Sequence, residues 1–183
     1  MFQRLFGFGQ RSRRAVIDAL YERIVAASRQ PIFYSDMQVP DTPLGRFEMI
    51  ALHMILFLRR VRAEKGSARD VAQELTDLFF RDVEHAIREL GIGDLGVPKR
   101  IKKLARMFYG RAAAYGDALD AGDVAALEAA LARNVNPEAE GWAGARPLAA
   151  YATIAAAGLA GQELEHLLAG DISFPDAEAG GSM

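Results

Sequence analysis

Between Met49 and Leu58 the chain is apolar at every position except His53. The run sits inside a stretch with helix-start chemistry, because Asp41-Thr42-Pro43 offers a capping side chain followed by a proline whose missing N–H costs nothing there. The spacing predicts a helix over about residues 43–62. A helix apolar on nearly every side is either surrounded by other helices or presents an exposed apolar surface, and the sequence leaves both open. The run falls short of the roughly 18–20 residues that span a bilayer, as does Leu148–Ala160, so no membrane-spanning helix is expected.

The rest of the chain supplies neighbours for such a helix. Strand-like β-branched alternation is absent, whereas apolar residues recur at i, i+3 and i+4 throughout. Val16, Leu20, Ile24 and Ala27 share one face of a first helix, after which Pro31 and residues 32–40 form a connector. Gly66-Ser67 leads into a helix reaching about Leu90, with Ala72, Leu75, Phe79, Val83, Ala86 and Leu90 as its inward stripe. Residues 120–133, 145–157 and 162–169 read as shorter, alanine-rich helices that pack closely. The expected fold is all-α: a single-domain helical bundle of about six to seven helices over residues 15–170. A basic, aromatic segment (1–14) precedes it and a disordered tail (171–183) follows.

Residues 91–96, GIGDLG, match G-x-G-x-x-G. A dinucleotide fingerprint needs a strand before it, and here a helix precedes it. Gly91 instead suits the left-handed residue that ends a helix, so the stretch is expected to be a turn between two helices. In the helix that follows, Val97, Ile101, Leu104, Phe108, Ala112, Tyr115 and Leu119 form one buried stripe. Lys99, Lys102, Arg106 and Tyr109 share a second face, with Arg100 and Lys103 beside it. Three of the four lysines in the chain fall here, against 18 arginines overall. Cations at a helix N-terminus oppose the macrodipole, so this face is the expected partner-binding surface, against the plainer reading of a solvated face.

The N-terminal MFQRLFGFGQRSRR interleaves Phe2, Leu5, Phe6 and Phe8 with Arg4 and further arginines. Aromatic and aliphatic groups backed by arginine suit a peripheral contact with an anionic membrane, with a disordered or docked tail as the alternative. This start has no apolar core or small-residue cleavage site of a signal peptide. The net charge of −2 argues against broad binding to nucleic acid, DNA included. The chain has no cysteine, which excludes disulfides and thiolate metal sites and is compatible with a reducing compartment.

Asp82-x-x-His85 and Glu163-x-x-His166 imitate the pairs that build di-metal centres in bundles, with Glu48 as a possible further ligand. A full ligand set is not evident, so no metal or other cofactor is expected. His53 reads as a hydrogen-bonded core histidine. No nucleophile arrangement is suggested. A lipid or quinone pocket lined by the apolar helix is a further possibility.

Three segments, DTPLGRFEMIALHMILFLRR, LFFRDVEHAIRELGIGDLGVPKRIKKLARMFYGR and AAAYGDAL, together resemble the ubiquinol-cytochrome c chaperone family. The likeness spans about residues 30–160 and is most specific in GxGDLxVPKRxKK…FYGR. It implies a non-enzymatic, all-α assembly factor for the cytochrome bc1 complex that binds newly made cytochrome b before or during haem insertion. Mitochondrial members work with a smaller partner protein near the ribosome exit tunnel. The absence of a transit peptide implies a bacterial member, cytoplasmic or peripheral on the inner face of the cytoplasmic membrane. The alternatives are a di-metal carboxylate enzyme and an RNA- or ribosome-binding protein using the same basic helix.

Overall fold

The computed structural model describes residues 3–178, with the backbone alone described for residues 3–12. Eight helices and no strand occur among the described residues. They are α1 (Gln3–Ser28), α2 (Pro31–Ser35), α3 (Pro43–Val61), α4 (Ser67–Glu89), α5 (Val97–Ala121), α6 (Val124–Val135), α7 (Ala145–Ala160) and α8 (Leu164–Leu168). The eighth helix relative to expectation is α2, a short turn of helix within what reads as a connector. The all-α fold is as the periodicity requires.

At the start of α3, Thr42 Oγ1 accepts the Gly45 N–H at 3.1 Å and Pro43 occupies the first turn. The helix then runs through the middle of the bundle, packed against α1, α4, α5, α6 and α7. Every residue from Ala51 to Phe57 is buried, and Ile50 and Leu58 are half-buried. Of the two readings open to an apolar helix, the surrounded one holds. Met49–Leu58 is core, and no apolar surface for a partner comes from it.

Several boundaries differ from those expected. Asp120 does not begin a helix; it lies in the last turn of α5, which stops at Gly122 in the left-handed conformation (φ 64°). Asp123 then caps α6 by accepting the Ala126 N–H at 2.9 Å. Asp120 is instead a clamp, since Arg59 Nη2 meets its Oδ1 at 2.7 Å and Arg62 Nη2 its Oδ2 at 2.6 Å. These two hydrogen bonds, that of Arg62 foremost, hold its carboxyl below the usual carboxylate range.

On α4 the inward stripe is Val71, Leu75, Phe79, Val83 and Ile87, while Ala86 and Leu90 are exposed. A repeated step of four residues advances the stripe by roughly 40° per step, so by the last turn it has rotated from Ala86 to Ile87.

The expected boundary at residue 14 falls inside α1, which runs unbroken from Gln3. Arg13 reaches α4, with Nη2 3.0 Å from Asp70 and Nε 2.8 Å from Glu74. The expected disordered tail is also corrected for residues 171–178, which lie against the bundle with Ile172 in the core. Residues 179–183 lie outside the described residues. No helix among the described residues is long and apolar enough to cross a membrane.

Candidate functional site

The corner between α4 and α5 is built from glycine chemistry and one arginine. Gly91 takes φ 77°, a conformation that favours glycine, and its N–H donates to Arg88 O at 3.0 Å, closing α4. Gly96 N–H donates to Gly93 O at 2.8 Å just before α5 begins. Arg88 binds Glu84 Oε1 at 2.9 Å on its own helix and Asp94 in the turn. The corner is thereby tied to the last turn of α4. As the preceding helix requires, residues 91–96 are a turn between helices.

Two leucines at this corner are not used by the core: Leu90 is 60% exposed and Leu95 99% exposed. Leaving such side chains in water forgoes about 1.5–3 kcal/mol apiece relative to full burial. Behind them, Lys99, Arg100, Lys102, Lys103 and Arg106 are all exposed, and none forms an ion pair among the described residues. Helix α5 has no side-chain cap at Gly96 and no acid in its first turn. Lys99 and Arg100 stand in the first turn, at the positive helix end, at a local cost of about 0.3–1 kcal/mol per close charge, and Lys102, Lys103 and Arg106 continue the basic face along the next turns. Tyr109, in the fourth turn of α5, is 60% exposed, with its ring 5.5 Å from that of Phe108.

The opposite face of α5 fixes this surface in place. Val97, Phe108 and Tyr115 are buried, and Ile101, Leu104, Ala112 and Leu119 are half-buried, which is the stripe expected. Phe108 packs against Phe79 and Phe80 of α4, with ring centroids 5.3 and 5.6 Å away. Arg111 is sequestered with Glu48 of α3, its Nη2 donating to Oε1 at 2.6 Å and its Nε to Oε2. Burial pushes the Glu48 carboxyl up, and the guanidinium opposes that rise. The result is a rigid basic and apolar ridge on a firmly seated helix.

Of the expected membrane-contact residues, Phe2 lies outside the described residues. Arg4, Leu5, Phe6 and Phe8 lie in the first turns of α1, and their side chains are outside the described residues.

The carboxylates and histidines of the metal alternative are dispersed. Glu48 is held by Arg111, Asp82 accepts from the Tyr21 hydroxyl at 2.7 Å, and His85 faces Glu89 at 3.2 Å. His53 is wholly buried, as a core histidine should be. Its Nδ1 lies 2.8 Å from Met49 O, a carbonyl that can only accept, so Nδ1 carries the hydrogen and Nε2 accepts from the Tyr151 hydroxyl at 2.7 Å. An open groove of about 560 Å³ lies along α6 and the loop before α7, lined by Ala125, Glu128, Ala129, Trp142 and Arg146 among others. No residue of Met49–Leu58 lines it.

Sequence reasoning placed the basic face and missed the two leucines. It put Leu90 on an inward stripe and passed over Leu95, although an isolated leucine between turn glycines was a signal available to it. Arg111 carried no signal at all, being one arginine among 18.

The crystal structure of a Cbp3 homolog from Brucella abortus superposes with a TM-score of 0.90 at 52% sequence identity, covering 97% of this chain and 98% of that one. Comparison with curated protein sequences gives no match. The family described as ubiquinol-cytochrome C chaperone matches residues 35–174, a span holding the buried α3, the corner and the basic helix alike. With most of the chain matched and the fold shared end to end, this protein belongs to the ubiquinol-cytochrome C chaperone family.

Proposed function

We propose that this chain is an assembly chaperone that acts by binding rather than by catalysis, holding newly made cytochrome b until it joins the cytochrome bc1 complex. The α4–α5 corner and the exposed face of α5 are its client contact. The observation that carries this reading is the pairing of two exposed leucines with five cations that make no ion pair among the described residues, two of them, Lys99 and Arg100, in a first helical turn that disfavours them. Exposed apolar and cationic groups retained at a local cost point to a partner that covers both. A membrane-protein client fits, because its apolar segments meet leucine and the acidic headgroups around it meet lysine and arginine. The same chemistry keeps the protein close to the inner face of the cytoplasmic membrane.

The test is affinity purification of the tagged chain from detergent-solubilised host membranes. Enrichment of cytochrome b without the other bc1 subunits supports the reading. A folded variant with Lys99, Lys102 and Lys103 all changed to glutamate loses that enrichment. Equal recovery by that variant removes the basic face from the contact. An absence of cytochrome b while the complex is being assembled overturns the reading.

A further inference from the structure

Helix α1 lies beside α4, and their contacts fix how far it reaches. Arg13 meets Asp70 at 3.0 Å and Glu74 at 2.8 Å, and the Tyr21 hydroxyl donates to Asp82 at 2.7 Å. Later residues of α1 meet later residues of α4, so the two helices run parallel. Their register sets Ser67, the first residue of α4, level with residues 6–10 of α1. The first turns of α1 therefore stand at and beyond the end of the bundle where α4 begins. The α4–α5 corner is at the other end of α4, about 35 Å away by the rise of its 23 residues.

The sequence of those first turns divides by register. At about 100° per residue, Leu5, Phe6, Phe8 and Gly9 fall within one arc of about 160°, and Gln3, Arg4, Gly7, Gln10 and Arg11 fall in the arc opposite. Phe6 stands about five full turns before Ile24, on the side of α1 by which Leu20 and Ile24 enter the core. The side that seats α1 in the bundle thus runs on to where α4 has not yet begun.

The charge available at this end has one sign. Lys65 and Arg69 are exposed and form no ion pair among the described residues. The acids beside them are engaged, Asp70 and Glu74 by Arg13 and Glu64 by Arg60 at 3.3 Å. Residues 1–14 hold Arg4, Arg11, Arg13 and Arg14 and no acid.

We propose that this end of the bundle docks on an anionic bilayer. Leu5, Phe6 and Phe8 enter the boundary between headgroups and acyl chains, while Arg4, Arg11, Lys65 and Arg69 meet the headgroups. Charge complementarity selects this occupant: a polypeptide would need acids matched to each cation, whereas a bilayer surface presents negative charge wherever the cations fall. The surface shares no residue with the α4–α5 corner and stands whether or not the client there is cytochrome b.

The experiment is co-sedimentation of the full chain with vesicles that contain no protein, made of phosphatidylcholine alone or of equal parts phosphatidylcholine and phosphatidylglycerol. The chain is expected to bind the mixed vesicles at least roughly tenfold more tightly than the neutral ones, with the difference shrinking as salt is raised. Leu5→Ser with Phe6→Ser should lower that affinity by roughly tenfold or more. Lys65→Glu with Arg69→Glu alters exposed side chains outside α1 and should lower it by about tenfold as well, so the proposal is tested even if the first variant does not fold. Changing Lys99, Lys102 and Lys103 to glutamate should cost less than either. Equal binding to the two kinds of vesicle overturns the proposal. So does unchanged binding by a folded Leu5→Ser, Phe6→Ser chain, or a loss in that chain of self-association instead of vesicle binding, which would make the occupant a second copy.

Discussion

Arg111 on α5 closes on Glu48 of α3 through two parallel hydrogen bonds, with both side chains buried and their positions 63 residues apart in sequence. Desolvating two charges is expensive, and the pair is sustained because each satisfies the other. Removing one partner leaves a buried charge without compensation. Arg111→Met should therefore lower the unfolding free energy by about 3–5 kcal/mol, read by chemical denaturation. Adding Glu48→Gln to Arg111→Met should recover part of that loss, and a double-mutant cycle with no coupling between the two positions would contradict the pairing.

His53 makes stability depend on pH. Burial depresses its pKa from 6.5 to about 4, opposed weakly by the bond to Met49. Because the folded value is the lower one, the unfolded chain takes up the proton first. This contribution is fully present above pH 6.5 and is lost as pH falls toward 4, amounting to about 2 kcal/mol by pH 5 and about 3 kcal/mol below pH 4. Denaturation midpoints measured from pH 7 to 4 should fall in that window. The fall should be shallower in His53→Gln, and an identical slope in the two proteins would rule the histidine out as its source.

At the α4–α5 corner, binding and stability should separate. Leu95→Ser and Leu90→Ser alter side chains that touch little of the core, so unfolding free energies should stay within about 0.5 kcal/mol of the unaltered chain. Lys99→Glu replaces a cation with an acid at the positive end of α5 and should stabilise by about 0.3–1 kcal/mol. All three changes should weaken client capture from detergent-solubilised membranes. Retention of capture by the leucine variants would confine the contact to the basic face.

Two glycines should respond in opposite directions to alanine. A Cβ on Gly144 would lie 1.8 Å from the Met37 carbonyl oxygen, which also accepts from Trp142 Nε1 at 2.9 Å. The chain there must move, so Gly144→Ala should cost about 1–3 kcal/mol and perturb the emission of Trp142, the one tryptophan present. Gly110, exposed within α5, has nothing within 4 Å of an added Cβ. Gly110→Ala should stabilise by about 0.5–1 kcal/mol through the backbone entropy that glycine loses on entering a helix. Calorimetric melting of both variants tests the pair.

By itself the sequence determined what is local. The 3.6-residue spacing placed the long helices, Thr42-Pro43 marked the start of α3, Gly91 marked the end of α4, and the lysines at 99, 102 and 103 marked the basic face. Each of these depends on residues within a few turns of one another, and the physics of capping and periodicity acts at that range. The tertiary structure alone decided that the apolar α3 is enclosed, that Leu90 and Leu95 face water, and that Ile87 takes the inward place expected of Ala86. It also joined Glu48 to Arg111 and His53 to Tyr151, pairs 63 and 98 residues apart, and laid 171–178 along Gln30 and Gln162. Periodicity states which side of a helix is apolar, and it carries no information about which neighbour covers that side. That choice belongs to the packing of all the helices at once.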